Sequence, residues 1–148
     1  MEFKICIDAG HYGLNYNQST TKYKDYYESA QMWKLHLLLK KELKRYKCKV
    51  VTTRKNTNDL DLYTRGVLAK GCDLFLSMHS NASTSPNTDY VVVFRGIDKR
   101  SDDLGLKLAQ AISEVMGCKQ APRTNERYNS ANNNEYYGVL RGAGAVGV

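Results

Sequence analysis

Hydrophobic and polar positions fall into two alternating patterns along the chain. Apolar runs at Phe3–Asp8, Cys48–Thr53, Asp73–Met78 and Tyr90–Phe94 are bounded by polar or glycine-containing segments, and each reads as a strand. Between them the period changes. Lys24–Tyr46 carries Leu35, Leu39 and Leu43 together with Ala30, Trp33 and Leu37, which predicts a helix with a broad apolar face. Leu60–Lys70 predicts a short helix stopped by Gly71, a residue suited to the left-handed position after a helix end. Asp102–Met116 predicts a third, carrying Leu104, Leu108, Ala111, Ile112 and Val115. Strands alternating with helices predict an α/β layered fold with at least part of its sheet parallel.

The polar segments separate these elements without marking a linker, and no internal repeat is present, so one domain over residues 1–148 is expected. Asn125–Asn134 is rich in Asn and other polar residues. Tyr136–Leu140 predicts a short ordered segment. Gly142–Val148 has the pattern of an approach to another strand.

Two of the three histidines stand where a strand gives way to a loop: His11 after Ile7-Asp8-Ala9-Gly10, and His79 after Leu74–Met78. If their strands are parallel neighbours, both side chains leave the same edge of the sheet, where α/β folds place ligands. Glu28 lies in the first turn of the first helix and can point back to that edge. Two imidazoles and a carboxylate make the ligand set of a catalytic zinc site with one position left for water; the same set also suits non-haem iron. The alternative is that each histidine is a hydrogen-bonded structural residue and Glu28 a surface charge favoured by the helix dipole. His36, mid-helix among leucines and lysines, and Trp33 read as structural.

Composition narrows the partners. The net charge of +7 includes a cluster at Lys40, Lys41, Lys44, Arg45, Lys47 and Lys49, which fits a solvated face or an anionic partner. Nucleic acid is not expected as that partner: helix-turn-helix, paired-cysteine and aromatic-basic patterns are all lacking. No run approaches the roughly 20 apolar residues of a membrane span, so membrane insertion is not expected either. Cys6, Cys48, Cys72 and Cys118 have no CxxC spacing and read as free thiols.

Several ordered motifs resemble one family. Ile7-Asp8-Ala9-Gly10-His11 resembles the opening D-x-G-H of the zinc-dependent N-acetylmuramoyl-L-alanine amidases of the Amidase_3 type, found in autolysins and phage endolysins. Val51-Thr52-Thr53-Arg54, Leu62-Tyr63-Thr64-Arg65, Cys72–Ala82 and Tyr137-Gly138-Val139-Leu140-Arg141 are similar to its later segments, in the same order. The resemblance implies a mixed, largely parallel sheet flanked by helices. It implies Zn2+ as cofactor, with His11, Glu28 and His79 as metal ligands and Asn81 and Arg65 as supporting groups. The implied partner is peptidoglycan, cut at the amide between N-acetylmuramic acid and L-alanine. The loops at 15–21, 83–87 and 125–137 are expected to border the cleft.

Members of that family continue into a strand ending in a glutamate general base, whereas this sequence stops at Val148. A C-terminally incomplete catalytic domain of impaired activity is therefore expected, with Glu126 and Glu135 the substitute bases to consider. The alternative is a non-catalytic zinc-containing domain that binds cell wall. Met1–Cys6 runs straight into a strand with no readable secretory signal. Synthesis in the cytoplasm and release to the bacterial wall as an endolysin are expected.

Overall fold

The computed structural model describes residues 2–19, 23–55, 59–131 and 133–144. At its centre β1 (Phe3–Ala9) lies between β2 (Cys48–Thr52) and β3 (Leu74–Met78), all parallel. β1 takes the middle because its apolar run tolerates burial on both faces, as interior parallel strands require. Cys6, Ile7 and Ala9 are fully buried. The register places Cys6 beside Val51 and Phe75, and Asp8 beside Ser77.

Period-two alternation divides the core into two sides. Cys6 and Phe75 face Ala69, which follows α2 (Leu62–Val67), and Val139 and Ala143 of the C-terminal helix. Ile5, Ile7 and Leu74 pack against Leu39 and Leu43 of α1 (Glu28–Leu43), with Val93 and Leu108 beyond. Val93 belongs to β4 (Val92–Phe94) and Leu108 to α3 (Asp102–Met116). α3 ends at Gly117, whose φ of +65° is the left-handed cap that glycine adopts freely. The chain then forms β5 (Arg123–Asn125), parallel to β4, and the antiparallel pair β6 (Tyr128–Asn129) and β7 (Asn134–Glu135). α4 (Gly138–Ala143) closes the described chain against α2. Here two helices meet at glycine: a β-carbon on Gly66 would lie 2.0 Å from Val139 O, and one on Gly142 2.3 Å from Tyr63 O.

The α/β class, the parallel sheet and its flanking helices are as the pattern predicts, with four local corrections. α1 begins at Glu28 rather than Lys24, because residues 24–27 are tied back by a bridge between Tyr27 and Gln18. Its buried face is Glu28, Ser29, Met32 and His36, continued by Leu39 and Leu43; Leu35 and Leu37 are exposed. α2 is shorter than expected and loosens into a turn that ends on left-handed Gly71. The segment expected after Tyr136 is helix α4, which absorbs Gly142 and Ala143; the expectation of a strand approach at 145–148 lies outside the described residues. All four cysteines are free, with only Cys6 fully buried. No helix of the described residues is long and apolar enough to cross a membrane.

Candidate metal centre

β1 and β3 are hydrogen-bonded neighbours running the same way, so the loops that follow them leave the same edge. The Gly10 amide continues the ladder one step by donating to Met78 O at 2.9 Å. His79 then folds over Gly10: a β-carbon there would lie 2.6 Å from His79 Cε1 and 2.7 Å from Nδ1. Glycine is needed because the imidazole occupies the space of a side chain. His11 turns the chain sharply, with φ of +61°, a left-handed conformation uncommon for a residue bearing a β-carbon. The two rings meet edge-on with centroids 5.0 Å apart.

Glu28 completes the cluster from α1. Its Oε2 lies 3.1 Å from His11 Nε2 and its Oε1 3.1 Å from His79 Nδ1. Among the described residues these three side chains form one group whose ligand atoms all lie within 4.8 Å of one another. Glu28 is nearly buried, while His11 and His79 retain 28% and 42% side-chain exposure, so the cluster opens to solvent on the histidine side. The Ser80 amide donates to Glu28 Oε1 at 2.7 Å, and Asn17 Nδ2 donates to Oε2 at 3.0 Å. Asn17 Nδ2 also lies 2.9 Å from His11 Nε2. Burial opposes ionisation of Glu28, but the bonds from His79, Asn17 and the Ser80 amide, with the nearby His11, outweigh it and hold the carboxyl at about 2. Burial lowers the pKa of His11, opposed by Glu28 and assisted by His79 and Arg65. A carboxylate beside an imidazole that favours its neutral form is the protonation state metal ligation needs.

Two arginines hold the frame. Asp8, fully buried in β1, accepts from Arg65 Nε at 2.9 Å and Nη2 at 2.6 Å, from Ser77 Oγ at 2.6 Å, and from Thr53 Oγ1. Arg65 Nη2 also donates to Ala9 O at 2.8 Å. One bidentate pair thereby ties α2 to the ends of the strands that carry the histidines. Arg54, buried after β2, donates to the carbonyls of the turn around His11.

His11, Glu28 and His79 are thus brought together as the sequence led one to expect. Arg65 supports the sheet edge rather than the cluster itself, and Asn81 is exposed in the loop beyond His79. Glu126 pairs with Arg95, and Glu135 is buried, accepting from the Ile97 amide at 3.0 Å. Neither belongs to the cluster. His36 is structural, stacked on Trp33 with ring centroids 5.1 Å apart. Sequence reasoning passed over Asn17, Gly10 and the roles of Asp8 and Arg54. A carboxylate inside an otherwise apolar strand was the available signal for Asp8; Asn17 sits in a loop that offers none.

A parallel sheet with two imidazoles and a carboxylate at its carboxyl edge defines an α/β protein with a candidate His2Glu centre. The chain belongs to the Amidase_3 family, N-acetylmuramoyl-L-alanine amidase, whose profile matches residues 5–148. Among solved structures, an N-acetylmuramoyl-L-alanine amidase from Clostridium difficile 630 is similar with a TM-score of 0.79 at 20% identity. The match covers 99% of this chain and 76% of that one. Cwp6 from Clostridium difficile is similar with a TM-score of 0.85 at 21% identity, over 99% of this chain and 24% of that one. The catalytic domain of CwlV, an N-acetylmuramoyl-L-alanine amidase from Bacillus (Paenibacillus) polymyxa var. colistinus, gives 0.77 at 20%, over 98% and 76%. At these identities the likeness is one of fold. A search of curated proteins found no match.

Proposed function

We propose that this chain is a single zinc-dependent catalytic domain hydrolysing the amide between N-acetylmuramic acid and L-alanine of peptidoglycan, with His11, Glu28 and His79 as metal ligands. The observation that carries the reading is the convergence of those three side chains in a family of such amidases. The fit to zinc rests on donor type and spacing. Zinc–ligand bonds of about 2.0–2.2 Å suit donors gathered this closely: Glu28 Oε2 lies 3.1 Å from His11 Nε2, its Oε1 3.1 Å from His79 Nδ1, and all the ligand atoms lie within 4.8 Å of one another. Two imidazoles and one carboxylate also leave a fourth position for water or substrate.

A zinc ion held there supplies Lewis acidity, lowering the pKa of bound water to about 7 and polarising the scissile carbonyl. The chain's own residues do the rest. Gly10 leaves room for the His79 ring, and the Ser80 amide and Asn17 fix both Glu28 oxygens. Glu126 and Glu135 are held by Arg95 and the Ile97 amide, and neither is assigned as general base. Slow turnover is expected where the described residues supply no general base, since such a base contributes about 10²–10⁴ in rate. The same observation favours a second reading, a zinc-containing domain that binds cell wall without cutting it. The net charge of +7 suits the anionic wall in either case, and action there in the manner of an endolysin or autolysin is part of the proposal.

The test is incubation of purified peptidoglycan with zinc-loaded protein, followed by assay of newly exposed L-alanine amino groups. Release that a chelator stops and zinc restores supports the amidase. Zinc-dependent wall binding without any release supports the second reading, and neither binding nor release contradicts both.

A further inference from the structure

Arg54 is 3% exposed, an expensive place for a guanidinium, and it donates to three backbone carbonyls. Nη1 donates to His11 O at 2.9 Å and to Gly10 O at 3.4 Å, and Nη2 donates to Gly13 O at 3.2 Å. The cation also lies 4.9 Å from the ring centre of Trp33, on α1. All three carbonyls belong to one tight turn, which carries two left-handed residues, His11 at φ +61° and Gly13 at φ +63°. Gly13 adopts that conformation freely, but His11 must be held in it.

The direction of the His11 ring follows from that backbone. With φ of +61° the side chain leaves the turn toward α1, bringing Nε2 within 3.1 Å of Glu28 Oε2. A relaxed turn points it elsewhere. We infer that Arg54 is the positioning residue for His11: a planar, charged clamp on the 10–13 carbonyls that sets metal affinity without itself being a ligand. A planar fork is required because one group must bond three carbonyls on two nitrogens, and a lysine ammonium on a flexible stem reproduces the charge but not the geometry. Trp33 supplies the floor against which the fork lies, so the same helix that presents Glu28 also fixes the clamp. The inference rests on the metal reading above.

The experiment is a zinc titration by competition with a chromophoric chelator, on wild type, Arg54→Lys and Arg54→Gln. The apo melting temperature of each and the absorption bands of its cobalt-substituted form accompany it. Both variants are expected to bind zinc about 10–100-fold more weakly, the range for partners that orient metal ligands, with altered cobalt bands. A merely structural arginine would lower the apo melting temperature and leave zinc affinity and cobalt bands unmoved; that result in a folded variant overturns the inference. Should neither Arg54 variant fold, Trp33→Leu removes the floor and keeps the cation. A weakened zinc affinity is then expected, and an unchanged one overturns the clamp. Wild-type protein that binds neither metal overturns the metal reading and the clamp with it, whereas wild-type binding with unaffected variants overturns the clamp alone.

Discussion

His36 makes the protein sensitive to acid in a way that can be separated from its metal chemistry. The ring is 1% exposed, stacked on Trp33, and its Nδ1 has no hydrogen-bond partner among the described residues. Burial, with Lys40 and Arg54 adding to it, lowers its pKa from 6.5 to about 4. The native state therefore holds His36 neutral over a range in which the unfolded chain takes up a proton. Stability attached to this group is fully present above pH 6.5, declines as pH falls, and has gone once pH passes below about 4. Holding the ring neutral down to about 4 instead of 6.5 is worth about 3 kcal/mol, a large share of the 5–15 kcal/mol typical of a domain. Urea unfolding at several pH values between 7.5 and 4.5, in chelator so that no metal contributes, measures it. His36→Leu removes both the titration and the unpartnered nitrogen. The variant is expected to equal or exceed wild type at pH 7.5 and to hold its lead increasingly as pH falls. Parallel decline of the two proteins would refute the reasoning.

Three further outcomes follow from geometry. Gly66→Ala places a methyl group 2.0 Å from Val139 O. Forcing α2 and α4 apart should cost about 2 kcal/mol or more even after the gain in helix propensity, read as a lower midpoint in thermal unfolding. Gly10→Ala drives a methyl into the His79 ring and should abolish tight zinc binding while the far-ultraviolet circular dichroism stays close to wild type. Asn17→Ala deletes a bond that keeps Glu28 ionised. A carboxylate NMR titration of metal-free protein should show the Glu28 pKa rising from about 2 toward ordinary values, since burial is then less opposed.

The central sheet and the convergence of His11, Glu28 and His79 were legible because each depends on local pattern. β1 and β3 are apolar runs ending in a loop, and parallel pairing carries both ends to one edge whatever the rest of the chain does. The buried face of α1 was misjudged, and the reason lies in where Glu28 sits. Glu28 must face the cluster, which fixes the rotation of the helix, so Met32 and His36, four and eight residues on, face inward at the expense of Leu35 and Leu37. Helix α4 was not legible as a helix: Gly138 and Gly142 argue against one by propensity. They are there because α2 approaches too closely for any side chain. Asn17 was hidden for a different reason. Its loop is placed by Ser29, whose Oγ accepts from the Tyr16 amide at 2.9 Å, a contact thirteen residues apart with no periodic signature.

The most direct measurement of the central claim is zinc-edge X-ray absorption on protein loaded with one equivalent of metal, alongside His11→Ala and His79→Ala. The account predicts a shell of nitrogen and oxygen ligands at about 2.0–2.2 Å, with the signature of two imidazoles in wild type and loss of bound zinc in either variant. Sulfur ligands at about 2.3 Å, or zinc retained at full stoichiometry without His11 and without His79, would contradict it.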